Sequence, residues 1–361
     1  MTEFVPTLRQ AAGQVLVAGF PGSEAPPALI ASIAAGELGG VILFKRNLTT
    51  VDAVPATLRP LIEAAPAWAP LLTAVDQEGG RVARLRAPVL SLPPMRRLGD
   101  LDDTSLTERA GRVLGENLKA LGFNCDFAPV LDVDTNPQNP IIGDRSFGRD
   151  PEVVVRHGLA FGAGLRAAGV LACGKHFPGH GDTELDSHLA LPRLKHDRAR
   201  LDAVELVPFR AARGHIPTLM TAHVVFDALD PGVPATLSRK VITGLLREEL
   251  GYDGLIISDD LEMKAVSEGW GVAPAGVLAI EAGCDTLLVC SDLEALDATR
   301  EALLGRAEGD DAFASRLQDA AARSLAVRRT APPAIDPNGV RGEAARELEE
   351  ELRVRLGAGE P

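Results

Sequence analysis

Short, nearly continuous apolar runs recur along the chain, separated by amphipathic stretches. The runs are VLVAGF (15–20), GGVILF (39–44), LLTAVD (71–76), FNCDFAPV (123–130), GVLACGKH (169–176), TLMTAHVV (218–225), GLIISDD (254–260) and DTLLVC (285–290). Strands without a polar face belong to a parallel sheet that is covered on both sides. Between them, TERAGRVLGENLKALG (107–122) and EVVVRHGLAFGAGLRAAG (152–169) carry helical spacing. The second stops at Gly169, a residue that suits a helix end. Eight strands with helical returns predict an α/β fold, a single-domain (β/α)₈ TIM-type barrel. The alternative is a doubly wound open sheet. It would place a glycine-rich phosphate loop after its first strand, and GFPGSEAP (19–26) is not that fingerprint.

The runs end in charge. Asp76 follows the third, Asp126 and Asp132 flank the end of the fourth, and Lys175 and His176 end the fifth. His223 lies near the end of the sixth, and Asp259 and Asp260 end the seventh. In a barrel, strand C-termini converge on one face, so these residues predict one polar mouth. The barrel is expected over residues 1–328. Prolines in RRTAPPAIDPNG then break the pattern, and GEAARELEEELRVRLG (342–357) reads as a charged helix in a tail over 329–361. Such a helix either packs on the barrel or meets another chain.

A length of 361 residues suits a barrel, and 46% hydrophobic with 24% charged residues is ordinary for a globular chain. The net charge of −13 argues against nucleic acid and against anionic membrane surfaces as partners. Cys125, Cys173, Cys284 and Cys290 are widely spaced in apolar runs and read as reduced core thiols. MTEFVPTLRQ lacks a signal pattern and no apolar run reaches spanning length, so the expected compartment is the cytoplasm. The chain is expected to be a monomer or a weak homo-oligomer.

The segment KHFPGHGDTELDSH (175–188) gathers three histidines and three acids directly after a strand. Pro178, Gly179 and Gly181 oppose a regular helix and point to a mobile loop over 177–187. Asp186 and His188 are two apart and can converge across a turn. A carboxylate bonded to imidazole fixes its tautomer and makes it a proton donor and acceptor near neutral pH. The plainer alternative is that Asp186 only caps a turn. In GYDGLIISDDLEM (251–263), adjacent strand residues point to opposite faces, so one of Asp259 and Asp260 is expected in the pocket and the other in the wall. The inward one is a candidate glycosyl nucleophile. The alternative is two aspartates capping the next helix. In VDQEGGRVARL (75–85), Asp76 can accept bonds from vicinal hydroxyls and Arg84 can return to the pocket. IIGDRSFGRD (141–150) adds Arg145, whose planar fork suits hydroxyl or carboxylate oxygens. Surface ion pairs are the alternative for both arginines.

In this order, VDQEGGRVARL, IIGDRSFG, KHFPGHGDTELDSH and ISDDLEM resemble glycoside hydrolase family 3, and within it the single-domain β-N-acetylglucosaminidases. The resemblance spans about residues 12 to 325. It implies Asp259 as nucleophile, His188 as general acid/base with Asp186 as its partner, and Asp76, Arg84, Arg145, Lys175 and His176 as the substrate-binding set. Glu262 is a variable position, where relatives often carry a small residue. The implied reaction is retaining hydrolysis of terminal β-linked N-acetylglucosamine by a β-N-acetylhexosaminidase that needs no cofactor and no metal. The implied substrate is a cell-wall muropeptide, N-acetylglucosamine on anhydro-N-acetylmuramic acid, as in peptidoglycan recycling. A polar grip on the sugar also accounts for the scarcity of aromatics, which include one tyrosine, Tyr252, and two tryptophans, Trp68 and Trp270.

Three other readings compete. A glycoside phosphorylase on the same scaffold is permitted, because a neutral imidazole lets phosphate approach more easily than a carboxylate does. A metal-dependent hydrolase would draw on His176, His180, His188, His215 and His223. A silent sugar-binding barrel would need no complete nucleophile and acid/base set.

Overall fold

In a computed structural model, residues 5–187, 190–336, 338–340 and 342–357 are described. The eight apolar runs form eight strands: β1 (Leu16–Ala18), β2 (Gly40–Leu43), β3 (Leu72–Val75), β4 (Cys125–Asp126), β5 (Leu171–Phe177), β6 (Thr218–Thr221), β7 (Leu255–Asp260) and β8 (Thr286–Val289). They pair in sequence order, and β8 closes on β1. Every pairing is parallel. This is a closed (β/α)₈ barrel, and the open-sheet alternative is overturned.

The strand pleat sorts the core in two. Leu72, Ala74, Cys125, Phe127, Leu171, Cys173, Leu255, Ile257, Leu288 and Cys290 fill the barrel interior. Their neighbours Leu71, Val75, Ala172, Ile256, Leu287 and Val289 pack outward against the helices. Alternate residues therefore serve two cores, which is why the runs are apolar throughout. The four cysteines are free and buried, and burial pushes Cys173 and Cys284 up to about 12, where thiolate chemistry is suppressed.

The two expected helices are Thr104–Leu121 and Pro151–Ala167. The first starts on Asp103, whose side chain accepts from Leu106 N, and ends at Gly122 with φ 104°. The tail helix is Glu343–Leu356, and Ala345, Leu348 and Leu352 are buried beneath it. Its polar side is fastened as well. Glu349 Oε1 accepts from Ser91 N at 2.7 Å, Arg355 Nη1 donates to Asp103 Oδ2 at 2.7 Å, and Glu351 meets Arg109. Of the two expectations for this helix, packing on the barrel is the one observed. No described helix is long and apolar enough to cross a membrane.

Arg328, on the helix Asp311–Thr330, is 1% exposed and closes the end of the barrel opposite the strand C-termini. It donates to Gly39 O at 2.5 Å, Pro70 O at 3.0 Å, Gln14 Oε1 at 2.5 Å and Ser324 O at 3.2 Å. Gln14, Gly39 and Pro70 precede β1, β2 and β3. Burial, with Arg329 nearby, lowers its guanidinium to about 9. One side chain thus supplies the donors for three chain segments entering the barrel. Replacing it with leucine removes the donors to Pro70 O and Gln14 Oε1, while Gly39 O keeps Leu72 N, and Arg328→Leu should lose about 3 kcal/mol of unfolding free energy in a urea titration. Arg328→Lys should recover only part, because an ammonium cannot span all three segments.

Candidate active site

A cavity of about 190 Å³ opens at the strand C-termini, and Asp76, Arg84, Arg145, Lys175, His176, Asp259 and Asp260 all line it. Glu78, His180, Ser187, Phe44, Phe127 and Cys290 line it too. The sequence motifs converge here because each follows a different strand of one closed barrel.

Lys175 sits at the centre, 2% exposed. Its Nζ donates to Asp76 Oδ1 at 2.8 Å and lies 2.6 Å from Glu78 Oε1. Glu78 is held from its other side by a fork from Arg145, Nε to Oε2 and Nη2 to Oε1, both 2.8 Å. Burial opposes charge on Glu78, but Arg145 and Lys175 outweigh it and hold the carboxyl far below its usual range. Burial likewise opposes charge on Lys175 and Arg145, and their acidic partners outweigh it, raising both. Arg145 is therefore a buried ion-pair member and not a surface one. Glu78 was not among the sequence candidates. Its signal was present: it stands two residues after Asp76, on the same side of an extended chain.

Arg84 returns by a tight hairpin in which Gln77–Gly79 pairs with Val82–Ala83. Gly80 at its tip has φ 52°, and a Cβ there would lie 2.9 Å from Pro94 Cα. Gln77 Oε1 accepts from Arg84 N at 2.7 Å and Leu85 N at 2.9 Å, which brings the Arg84 guanidinium within 3.5 Å of Asp76. Below these groups, Asp126 Oδ1 accepts from Gln77 N at 3.0 Å while its Oδ2 has no partner. Burial pushes that carboxyl well up, against the Gln77 N–H and the charge of Lys175, and Asp126 lies beneath the cavity and does not line it.

Lys175 and His176 are consecutive, joined by a cis peptide, and both line the cavity. His176 Nδ1 is 2.7 Å from Asp132 Oδ2, and Asp132 Oδ1 accepts from His180 N at 2.7 Å. Burial raises Asp132, but the charge and hydrogen bond of His176, with His180, outweigh it and hold the carboxyl low. Asp132 thus orients the turn that leads into the 177–187 loop.

Residues 7–327 match the family model described as the glycosyl hydrolase family 3 N terminal domain. The chain belongs to glycoside hydrolase family 3. This family 3 enzyme is 44% identical over 270 residues to a protein of Alkalilimnicola ehrlichii named beta-hexosaminidase, covering 72% of this chain and 76% of that one. It is 43% identical over 258 residues to a beta-hexosaminidase of Pseudomonas aeruginosa, covering 71% and 76%. Among solved structures it is similar to a family 3 beta-N-acetylglucosaminidase from Paenibacillus sp. FPU-7, with TM-score 0.91, 41% identity, 98% of this chain and 70% of that one covered. It is also similar to NagZ from Neisseria gonorrhoeae in complex with N-trifluoroacetyl-D-glucosamine, with TM-score 0.73, 33% identity, and coverage of 87% and 98%.

Two expectations about the family 3 site change. Asp259 and Asp260 do not divide between pocket and wall; both line the cavity. The register of β7 against β8 shifts between Ile257 and Asp260, and the pleat alternation ends there. Neither caps the following helix, whose N-cap is Met263 with no side-chain bond. The histidines considered for a metal take separate side-chain partners, although the His176 and His180 rings lie 5.9 Å apart. His180 bonds Thr183 Oγ1 at 2.7 Å and Ser187 Oγ at 2.9 Å, and His223 bonds Thr236 Oγ1 at 2.8 Å and Asp260 O at 2.9 Å. Among the described residues, no group of three His, Cys, Asp or Glu side chains is arranged to hold a metal ion.

In the 177–187 loop, residues up to Gly181 are buried, and a Cβ on Gly181 would lie 1.9 Å from Val133 O. Asn139 Nδ2 donates to His180 O at 2.8 Å and Thr183 O at 3.0 Å. Glu184 and Leu185 are exposed beyond that anchor. Asp186 is half-buried, and its carbonyl accepts from Ala190 N at 3.0 Å. Ser187 lines the cavity, and His188, the expected acid/base, lies outside the described residues.

Burial, aided by His176, lowers His180 from 6.5 to about 4. The unfolded chain therefore takes up a proton at His180 before the folded one does. The stability His180 contributes is complete above pH 6.5 and is lost as pH falls toward about 4. The difference in unfolding free energy between wild type and His180→Gln, followed by denaturant melts, should shrink by up to about 3 kcal/mol over that window.

Proposed function

We propose that this family 3 enzyme is a retaining exo-β-N-acetylhexosaminidase that releases terminal β-linked N-acetylglucosamine. The observation that carries the reading is a cavity in which Asp259 opens beside the Asp76, Arg84, Lys175 and His176 cluster. The names of its relatives, and the N-trifluoroacetyl-D-glucosamine bound by one of them, support the same sugar class. The cavity falls below the roughly 300–1,000 Å³ of pockets for drug-sized ligands, which favours one small polar unit. Ion-paired side chains replace an aromatic platform: Asp76, Arg84, Lys175, His176 and Arg145 would hold the sugar hydroxyls.

In the proposed reaction, Asp259 attacks the anomeric carbon as the bond to the leaving oxygen breaks, and His188 gives that oxygen its proton. His188, oriented by Asp186, then takes a proton from water, whose oxygen displaces Asp259 from the anomeric carbon. Two inversions give net retention. The proposed natural substrate is a cell-wall fragment carrying N-acetylglucosamine on anhydro-N-acetylmuramic acid. The proposed compartment is the cytoplasm, which the four free, buried cysteines fit.

A panel of aryl β-glycosides tests this. The N-acetylglucosaminide should be cleaved at least about 100-fold faster, by kcat/KM, than the glucoside or xyloside. Equal rates would sink the sugar assignment. Asp259→Ala should lose at least about 10³-fold in kcat. Release of sugar 1-phosphate only when phosphate is added would mark a phosphorylase instead.

A further inference from the structure

Asp259 and Asp260 are consecutive carboxyls lining one cavity, yet they are held differently. Asp260 N donates to Asp259 Oδ1 at 2.8 Å. The carbonyl of Asp260 accepts from His223 Nε2 at 2.9 Å and from Met263 N at 3.0 Å, and its Oδ1 accepts from Glu262 N at 3.1 Å. Residue 260 is thus fixed at its backbone nitrogen, its backbone oxygen and one carboxyl oxygen.

Three other acids of the mouth have positive or imidazole partners. Asp76 has Lys175 and Arg84, Glu78 has Lys175 and Arg145, and Asp132 has His176. Among the described residues, the Asp260 carboxyl is bonded to no such group. The ionisable groups facing its carboxyl are Asp259 on its own strand, Glu262 in the next loop and Cys290 after β8. His223, from the end of β6, meets its carbonyl and not its carboxyl.

We propose that Asp260 is a positioning residue that carries the proton of this adjacent pair, leaving Asp259 as the attacking anion; the proposal rests on the glycosidase reading above. Burial pushes the Asp260 carboxyl up to about 7; the N–H of Glu262 opposes that rise, and the negative charges of Glu262 and Asp259 add to it. Two charged carboxyls side by side at half-buried positions in a small cavity repel, so one proton stays with the pair. It stays on Asp260, whose carboxyl meets no cation and whose own N–H steadies the Asp259 carboxylate. Once Asp260 ionises, the new anion binds water that an incoming sugar must displace. The cost falls on substrate capture, and so on KM more than on kcat.

The test is the pH profile of kcat/KM, which reports ionisations of the free enzyme. The substrate is dinitrophenyl β-N-acetylglucosaminide, whose leaving group needs no general acid, so His188 does not shape kcat/KM, which ends at formation of the glycosyl-enzyme. Wild type should fall by roughly tenfold per pH unit above about 7, mainly through KM. Asp260→Asn, neutral and of similar shape, should be flat across that range. Asp260→Ala loses the bond to Glu262 N and should be at least about fivefold slower than Asp260→Asn near neutrality. Circular dichroism checks that both are folded. A wild-type descent that survives in Asp260→Asn overturns the proposal. So does an Asp260→Asn as damaged as Asp259→Ala, since residue 260 would then be needed as an anion. A wild type that cleaves nothing at any pH overturns the glycosidase reading instead.

Discussion

Lys175 places one ammonium between two carboxylates, Asp76 and Glu78, almost out of reach of solvent. The rest of the mouth depends on this arrangement. Its members come from the ends of β3 and β5, from the hairpin after β3, and through Arg145 from the loop after β4. Taking such charges out of water is expensive, and mutual attraction offsets that cost only when geometry and additional bonds are good. The fork from Arg145 to Glu78 supplies those bonds. Removing Glu78 would leave Arg145 without its carboxylate and Lys175 with one carboxylate in place of two, so hairpin, strand end and loop are committed to one arrangement. A ligand arriving here meets polar atoms already fixed in place, which is the condition under which electrostatic stabilisation is strongest.

The barrel has a second end with the opposite solution. At the mouth, charges face one another and leave a cavity. At the far end, Arg328 donates to oxygens of the chain from three segments. Its uncompensated charge is tolerated because neutral acceptors surround it. The tail helix adds a lateral tie, joining the start of Thr104–Leu121 through the Arg355–Asp103 bond. The polar plug and this strap lie away from the cavity, so the mouth is built on a frame closed elsewhere.

What could be read from sequence follows from how local each signal is. A short apolar run is a local pattern, and it located the eight strands; the acids and histidines that end several of them located the mouth. Asp76, Arg84, Arg145, Lys175, His176 and Asp259 came within reach because each belongs to a motif next to such a run. Glu78 was passed over inside one of those motifs, although its spacing from Asp76 put it on the same side. Asp132 was noticed only as a strand-end acid, because its bonds to His176 and His180 cross between strands. Arg328 looked like the start of a change in composition, since nothing near it in sequence shows that its partners precede β1, β2 and β3. The pleat rule misassigned the Asp259–Asp260 pair, because a register shift is a property of two strands together.

The same limit governs charge. Four acids around this mouth are chemically alike in sequence and differ in the fold. Arg145, Lys175 and His176 draw the Glu78 and Asp132 carboxyls below their ordinary range, against the effect of burial. Asp126 and Asp260 meet backbone N–H groups and no cation, and burial moves them the other way. Burial alone would have raised all four; the partner decides the sign. The partners come from other strands and loops, so protonation state is a tertiary property even where the carboxyls are sequence neighbours. The site therefore combines carboxyls drawn down by paired cations with carboxyls that burial pushes up, a sorting set by partners from other strands and not by the acids themselves.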